Sequence, residues 1–428
     1  MASENKISLI GAISIGIGGM VGGGIFAVLG LSVALAQGGV PVSFLVAGLI
    51  AFLTAYSYSK LSIAYPDAGG TVRFINEGFG TGVFSGGLNN MLWVSYIIML
   101  ALYGSAFGSY AASLISITGN MVIDQKIFIA AVILISTFIN YYSIKIVGEV
   151  ESAAVIIKLI ILLAFVAAGF WGLSSNENFD QLNMENWESP LQLVAAGMVI
   201  FVAYEGFELI ANSAPDITNP KKNISRAYYF SVGFVILLYL AIAIVTVGSL
   251  DFAAIATAQD YALAEAAKPK FGQAGFTIIA IAAIISTFSA INATLLGGSR
   301  VNFEVAEDNE LPSEFTRTLW GKPIGLAIIS AASVLLAVSV DLESISTSGS
   351  VGFLLIFAMV NVVGYKKANK INGHKIIALI AAILCFSAFV ILLIQQLESS
   401  PVGIYIALGI FTSCFIAEFI FKKNSSTT

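Results

Sequence analysis

Gly16-Ile17-Gly18-Gly19-Met20-Val21-Gly22-Gly23-Gly24-Ile25-Phe26 lies inside the first apolar run of the chain, Ile7 to Leu35. Its reading decides the fold. Glycine is about 1 kcal/mol worse than alanine within a helix, so three in a row suit a lipid-facing helix badly. Two readings compete. Small residues let neighbouring helices approach closely, which accounts for Gly18 and Gly22. Alternatively, the helix is broken at Gly22-Gly23-Gly24 and lines a cavity, where irregular backbone is tolerated at membrane depth. The run of adjacent glycines favours the break. A break frees backbone N–H groups, and the half-helix after it presents its positive end, which suits a carboxylate.

The rest of the chain makes lipid the solvent. Of 428 residues, 58% are hydrophobic and 11% are charged. A soluble domain carries about 25% charged residues. Twelve segments reach the roughly 20 apolar residues of a membrane helix or come close. They are 7–35, 40–64, 82–112, 126–143, 150–173, 190–213, 226–249, 272–300, 323–340, 348–365, 375–396 and 401–421. The gaps near 174–189, 250–271 and 301–322 read as loops or short surface helices, so residues 1–428 form one membrane domain. Ala34-Leu35-Ala36 imitates a leader cleavage site. The run before it is about twice the roughly 7–15 apolar residues of a leader, so cleavage is not expected.

If all twelve segments span and the N-terminus is cytoplasmic, sixteen Lys and Arg residues fall inside and three fall outside (Lys126, Lys268 and Lys270). That is the positive-inside bias, and a miscounted span would scramble it. Lys158 is left over, within the fifth segment, about 15 Å of helix from the loop. A lysine there either snorkels to the interface or is buried, paired and functional, and the long reach favours the second.

The sixth segment carries Phe201-Val202-Ala203-Tyr204-Glu205-Gly206-Phe207-Glu208. Two acids three residues apart share a helix face. In an apolar setting they should face a cavity or hold a proton. A second interrupted helix, five spans after the first, points to an inverted-repeat transporter with its site at the midplane. Other classes fit poorly. The one histidine, His374, lies in a Lys-rich loop, and Cys385 and Cys414 lie apart in late apolar segments, so neither a metal site, a catalytic triad nor a cofactor site is expected. A basic stripe for nucleic acid is missing. A channel would more often show a repeated filter.

Several pieces taken together resemble the amino acid–polyamine–organocation (APC) superfamily. They are Gly22–Phe26, Pro66-Asp-Ala-Gly-Gly70, Ala203–Glu208, Asn219–Arg226, and Arg300 with Ala306–Pro312. The similarity is greatest to proton-coupled amino acid permeases with a lysine in the fifth helix. The resemblance implies an all-α LeuT-like fold of 12 transmembrane helices. Repeats at about 7–173 and 190–365 would be inverted, with discontinuous helices 1 and 6 and peripheral helices at about 375–421. It implies that Gly22, Gly23, Gly24 and Ile25 hold the substrate carboxylate. Carbonyls at Val202, Ala203 and Glu205, and in the first break with Met20, would hold the amine beside Tyr204. Lys158 would replace a sodium ion, near carbonyls of Gly18 and Gly19 and hydroxyls of Ser286 and Ser289, and with Glu208 would handle protons. Tyr204 and Phe207 are candidate gates, although aromatics here more often pack. Pro66–Gly70 would be a re-entrant cytoplasmic gate segment. Many relatives carry an aromatic residue at Val202 and an apolar one at Glu205. Glu205 either selects a second amine or points away to cap a neighbouring helix. The expected protein is a secondary transporter in the plasma membrane, not an enzyme, with cytoplasmic termini, taking amino acids or amines with protons. An exchanger without net proton coupling is the alternative, and no obligatory protein partner is implied.

Overall fold

The computed structural model describes residues 6–142, 144–173, 176–307, 310, 317–319 and 322–425. Asp308, Asn309, Leu311 and Pro312 of the last family-like piece, and the side chain of Lys145, lie outside the described residues. The described regular structure is helical apart from two isolated bridges, Ile7 with Ile217 and Gln37 with Trp187, and a two-residue ladder, Thr318–Leu319 with Lys322–Pro323. The first half contains α1 Leu9–Ala36, α2 Val40–Ala64, α3 Thr71–Phe79, α4 Val83–Leu114, α5 Met121–Tyr142 and α6 Ile144–Phe170. Next come α7 Pro190–Val199, a 3₁₀ segment Phe201–Glu208, α8 Leu209–Asn212 and α9 Pro220–Ser249. Short helices α10 Phe252–Thr257 and α11 Ala262–Glu265 precede α12 Lys268–Glu307. The chain closes with α13 Gly325–Ser339, α14 Leu342–Lys367, α15 Lys375–Ser399 and α16 Pro401–Ser425.

Among the described residues nine helices are long and apolar enough to cross a membrane, or ten if α7 and the segment after it count as one bent span. Two shorter apolar helices, Ala154–Phe170 and Gly325–Ser339, occupy the places of the fifth and ninth expected segments. Proline in the first turn of α2, α7 and α9 marks their starts, where its missing N–H costs nothing. The expected 301–322 loop begins later than the sequence suggested, because α12 runs on to Glu307. α12 also bends at Gly272, whose φ of 58° only glycine adopts freely.

The layout is a centre and a rim. α1 is buried on every side from Gly16 to Val33. α15 turns Ile376, Ile383 and Ile394 outward, and α5 does the same with Leu134 and Phe138. Exposed isoleucines and leucines on long helices are the surface that lipid requires.

One expectation is corrected here. α1 is a continuous helix from Leu9 to Ala36 and has no break at Gly22-Gly23-Gly24. The reason is packing on all sides. A Cβ on Gly22 would stand 2.7 Å from Ala290 Cβ, and one on Gly23 would run into the Tyr103 ring. On Gly24 it would stand 2.7 Å from Ala203 Cα. Three consecutive positions face three different neighbours, so each must lack a side chain. Close packing offsets the poor helix propensity, and the small-residue reading accounts for all three glycines rather than only Gly22.

The sixth segment is interrupted, as the sequence suggested. α7 and the stretch that follows Val199 meet at 45°. The eight residues Phe201–Glu208 form a 3₁₀ helix. Such runs rarely exceed 3–4 residues, and inside a helix they often mark a hinge.

Candidate substrate site

The centre of the molecule is where α1 and the 3₁₀ segment touch. Gly206 and Gly19 meet backbone to backbone: a Cβ on Gly206 would collide with the Gly19 carbonyl carbon. Around this contact, side chains from other helices converge on main-chain groups. The Tyr239 hydroxyl of α9 lies 2.7 Å from the Met20 carbonyl oxygen and 3.2 Å from that of Ala203. It has one proton for two acceptors, so one carbonyl is always short of that donor. Ser286 of α12 stands in the same relation to the Val21 and Gly22 carbonyls.

The interruption is also satisfied from outside. Ser350 of α14 donates to the Val199 carbonyl at 2.8 Å, and its oxygen accepts from the Val202 N–H at 3.1 Å. Ser346 donates to the same carbonyl at 2.8 Å. Main-chain groups released by a broken helix must find partners in an apolar interior, and two serines one turn apart supply them.

The two carboxylates diverge. Glu205 accepts from the Tyr103 hydroxyl of α4 at 3.3 Å. Glu208 accepts from Thr71 at 3.0 Å and Tyr58 at 3.3 Å, and these two hydroxyls are 2.9 Å apart. Thr71 opens α3, immediately after the Pro66–Gly70 segment, and Asn212 of α8 donates to the Ala68 carbonyl at 3.1 Å. Thus the stretch after α2 is tied to the far end of the interrupted helix.

Lys158 on α6 is fully buried and does not snorkel. Its Nζ donates to the Gly18 carbonyl at 3.1 Å. Ser286 and Ser289 are buried on α12, with Ser286 directed to Val21 and Gly22. Gly19 serves the contact with Gly206. Tyr204 is buried, donates to the Phe44 carbonyl at 3.0 Å and packs 5.1 Å from the Tyr239 ring. Phe207 lies among Tyr58, Tyr228 and Phe357, with centroids 5.1–6.2 Å away. Both aromatics are packed in the state described. Ile25 and Val202 are buried as well.

Sequence reasoning missed Tyr58, Thr71, Tyr103, Tyr239, Ser346 and Ser350. One signal was available: Ser344-Ile-Ser-Thr-Ser-Gly-Ser350 is too rich in hydroxyls for a lipid-facing helix. The tyrosines carried none, because a lone tyrosine in an apolar helix does not announce its partner.

Known proteins match this chain along nearly its whole length. The amino acid permease family matches residues 7–416. An uncharacterized protein of Methanocaldococcus jannaschii is 33% identical over 99% of this chain and 97% of its own length. An inner membrane transport protein of Escherichia coli is 28% identical over 99% and 98%. A chloroplastic cationic amino acid transporter of Arabidopsis thaliana is 26% identical over 73% of this chain and 57% of its own length. A bundle of apolar helices with an interrupted span at its centre, matched along nearly its whole length, belongs to the amino acid permease family of the APC superfamily: a multi-pass membrane protein for amino acid transport.

Proposed function

We propose that this permease carries small amino acids across the plasma membrane by alternating access, driven by protons and independent of sodium. The proposal includes twelve spans in a LeuT-like arrangement with both termini cytoplasmic. The observation that carries it is the buried Lys158 ammonium on the Gly18 carbonyl. Gly18 lies two residues from Met20, whose carbonyl meets Tyr239 at the contact between α1 and the 3₁₀ segment. A proton gained or lost at Lys158 changes the hold on α1 at that point. The substrate ammonium would compete with Tyr239 for the Met20 and Ala203 carbonyls; the N–H groups of Gly22–Ile25 lie inside the continuous α1 and would be free for the carboxylate only in a state where that helix opens. Because Gly24 packs directly on Ala203, the two elements must separate to admit a substrate.

Glu205 extends the reading to substrates with a second amine, since Tyr103, whose ring packs on Gly23, also holds its carboxylate. The naming of one relative as a cationic amino acid transporter is in line with this.

Uptake of a labelled amino acid panel into proteoliposomes, with and without an inward proton gradient, tests the proposal. Accumulation into empty vesicles under the gradient is expected, and Lys158→Ala should abolish it. Uptake only into preloaded vesicles, or an unchanged pH dependence in Lys158→Ala, would replace symport with exchange and make Lys158 a fixed structural charge.

A further inference from the structure

The flank of the bundle between α6 and α12 carries a groove with two unlike ends. Its apolar part encloses about 350 Å³ and is lined only by hydrophobic residues and glycine, among them Ile160, Ala164, Phe165, Ala274 and Ile278. Phe165, Ala267 and Phe271 also line a smaller hollow of about 70 Å³ at the end of α6, so the two join. The polar wall of that hollow consists of Asn176, Ser249 and Lys270.

Every polar side chain of that wall can donate a hydrogen bond. The Lys270 ammonium donates to the Trp171 carbonyl, just past the end of α6, and two of its three protons remain. The nearby acid Glu265 is taken by Lys268 at 2.7 Å. Asn176 uses its side-chain oxygen on the Asn178 N–H at 3.0 Å, which leaves its amide N–H groups. Among the described residues no carboxylate lines the hollow, and Glu177, next to Asn176, is exposed outside it. Donors without an acid suit an anion. The surroundings fix the depth. Trp171 is 82% exposed, with Phe170 and Phe271 each at 46%. Exposed aromatic rings at a helix end mark the level of lipid headgroups. From Lys270 to Ile279, α12 extends at most about 14 Å. That is close to half of the roughly 30 Å hydrocarbon core, the depth of one leaflet.

We infer that the groove holds one anionic glycerophospholipid, with an acyl chain in its apolar part and the phosphate at Lys270 and Asn176. A free anion would use the hollow alone and leave the apolar part unfilled. A zwitterionic lipid would bring a second cation to a wall that offers it no acid. The place bears on the centre of the molecule, because both walls reach it. α6 carries Lys158, bonded to the Gly18 carbonyl, and α12 carries Ser286, bonded to that of Val21. The lipid lies between the two helices that hold α1 by these bonds.

The test is lipid binding to the purified chain, read by native mass spectrometry in detergent. Phosphatidylglycerol and phosphatidylcholine with the same acyl chains are offered at equal concentration. One lysine at the membrane surface favours an anionic lipid about fivefold, so phosphatidylglycerol should be retained about fivefold more. Lys270→Gln should bring the two lipids to equal retention. Lys126→Gln, on α5 and outside the groove, should leave the preference as it is. Ala274→Trp fills the groove from its exposed rim and should also remove the preference, with Ala164→Phe in its place if that variant fails to fold. Glycerol 3-phosphate should not displace the lipid. Equal retention by the unmodified chain, an undiminished preference in Lys270→Gln, an equal drop in Lys126→Gln, or displacement by glycerol 3-phosphate would overturn the inference. Because no uptake is measured, failure here is distinct from failure of the proton-coupled reading.

Discussion

α1 and the interrupted span after Ser189 both place glycine at the centre of an apolar helix, yet they resolve it in opposite ways. α1 keeps its helix, and its glycines make room for Tyr103, Ala203 and Ala290. The other span gives up its α-helix from Phe201 to Glu208, and outside groups take over the freed backbone. The glycine count runs against this outcome: five glycines between Gly18 and Gly24 leave a helix intact, while Gly206 alone sits in the interruption. A glycine-rich stretch in a membrane helix is therefore not itself a break. What distinguishes the two is that a hydroxyl, Ser350, accepts from a main-chain N–H of the interrupted span, whereas the hydroxyls that reach α1 only add to the carbonyls of an intact helix.

The contrast can be broken most forcefully at the shared contact. Gly206→Ala would push a methyl group into the Gly19 backbone, where no flexible side chain can yield. Overpacking of this kind costs about 3 kcal/mol. Uptake should fall below detection, and thermal stability in detergent should drop by several degrees. Near-normal uptake would mean that the two elements stand further apart.

Next in size are the serines of α14. Ser350→Ala deprives the Val202 N–H of its hydroxyl partner and should cost about 1–3 kcal/mol, with slowed uptake. Ser346→Ala should cost less, because Ser350 still donates to the Val199 carbonyl. Equal losses in the two variants, read as shifts in melting temperature, would deny Ser350 its special place.

Tyr239→Phe should have a smaller effect. It removes one shared proton from the Met20 and Ala203 carbonyls, about 1 kcal/mol. Stability should change little, and the half-saturating substrate concentration should change about fivefold. The least effect is expected at Gly233 of α9, where an added Cβ would meet Phe52 at an ordinary 3.8 Å. Gly233→Ala should raise stability by up to about 1 kcal/mol and leave uptake unchanged, as a glycine not needed for packing. A loss of stability there would undo the distinction between glycines that make room and those that do not.

Much of the fold was legible because lipid imposes simple demands. The places of the helices followed from runs of apolar residues, and the buried, bonded state of Lys158 followed from its distance to the nearest loop. The interruption after Val199 was legible from Glu205, Gly206 and Glu208 in an apolar run. The continuity of α1 was not, since nothing in Gly22-Gly23-Gly24 tells that Ala290, Tyr103 and Ala203 lie beyond. Nor was the divergence of Glu205 and Glu208. Their spacing puts them on one face, but Tyr103 and the Tyr58–Thr71 pair draw them to different partners.

By itself, then, the sequence determined the solvent, the class of fold and which residues are too polar or too small to face lipid. These depend on the local free energy of each segment in the bilayer. Only the tertiary structure decided which glycines break a helix and which let one pack, and which hydroxyl satisfies which carbonyl. Those outcomes depend on atoms brought together from segments more than a hundred residues apart, as with Ser350 and Val202 or Lys158 and Gly18.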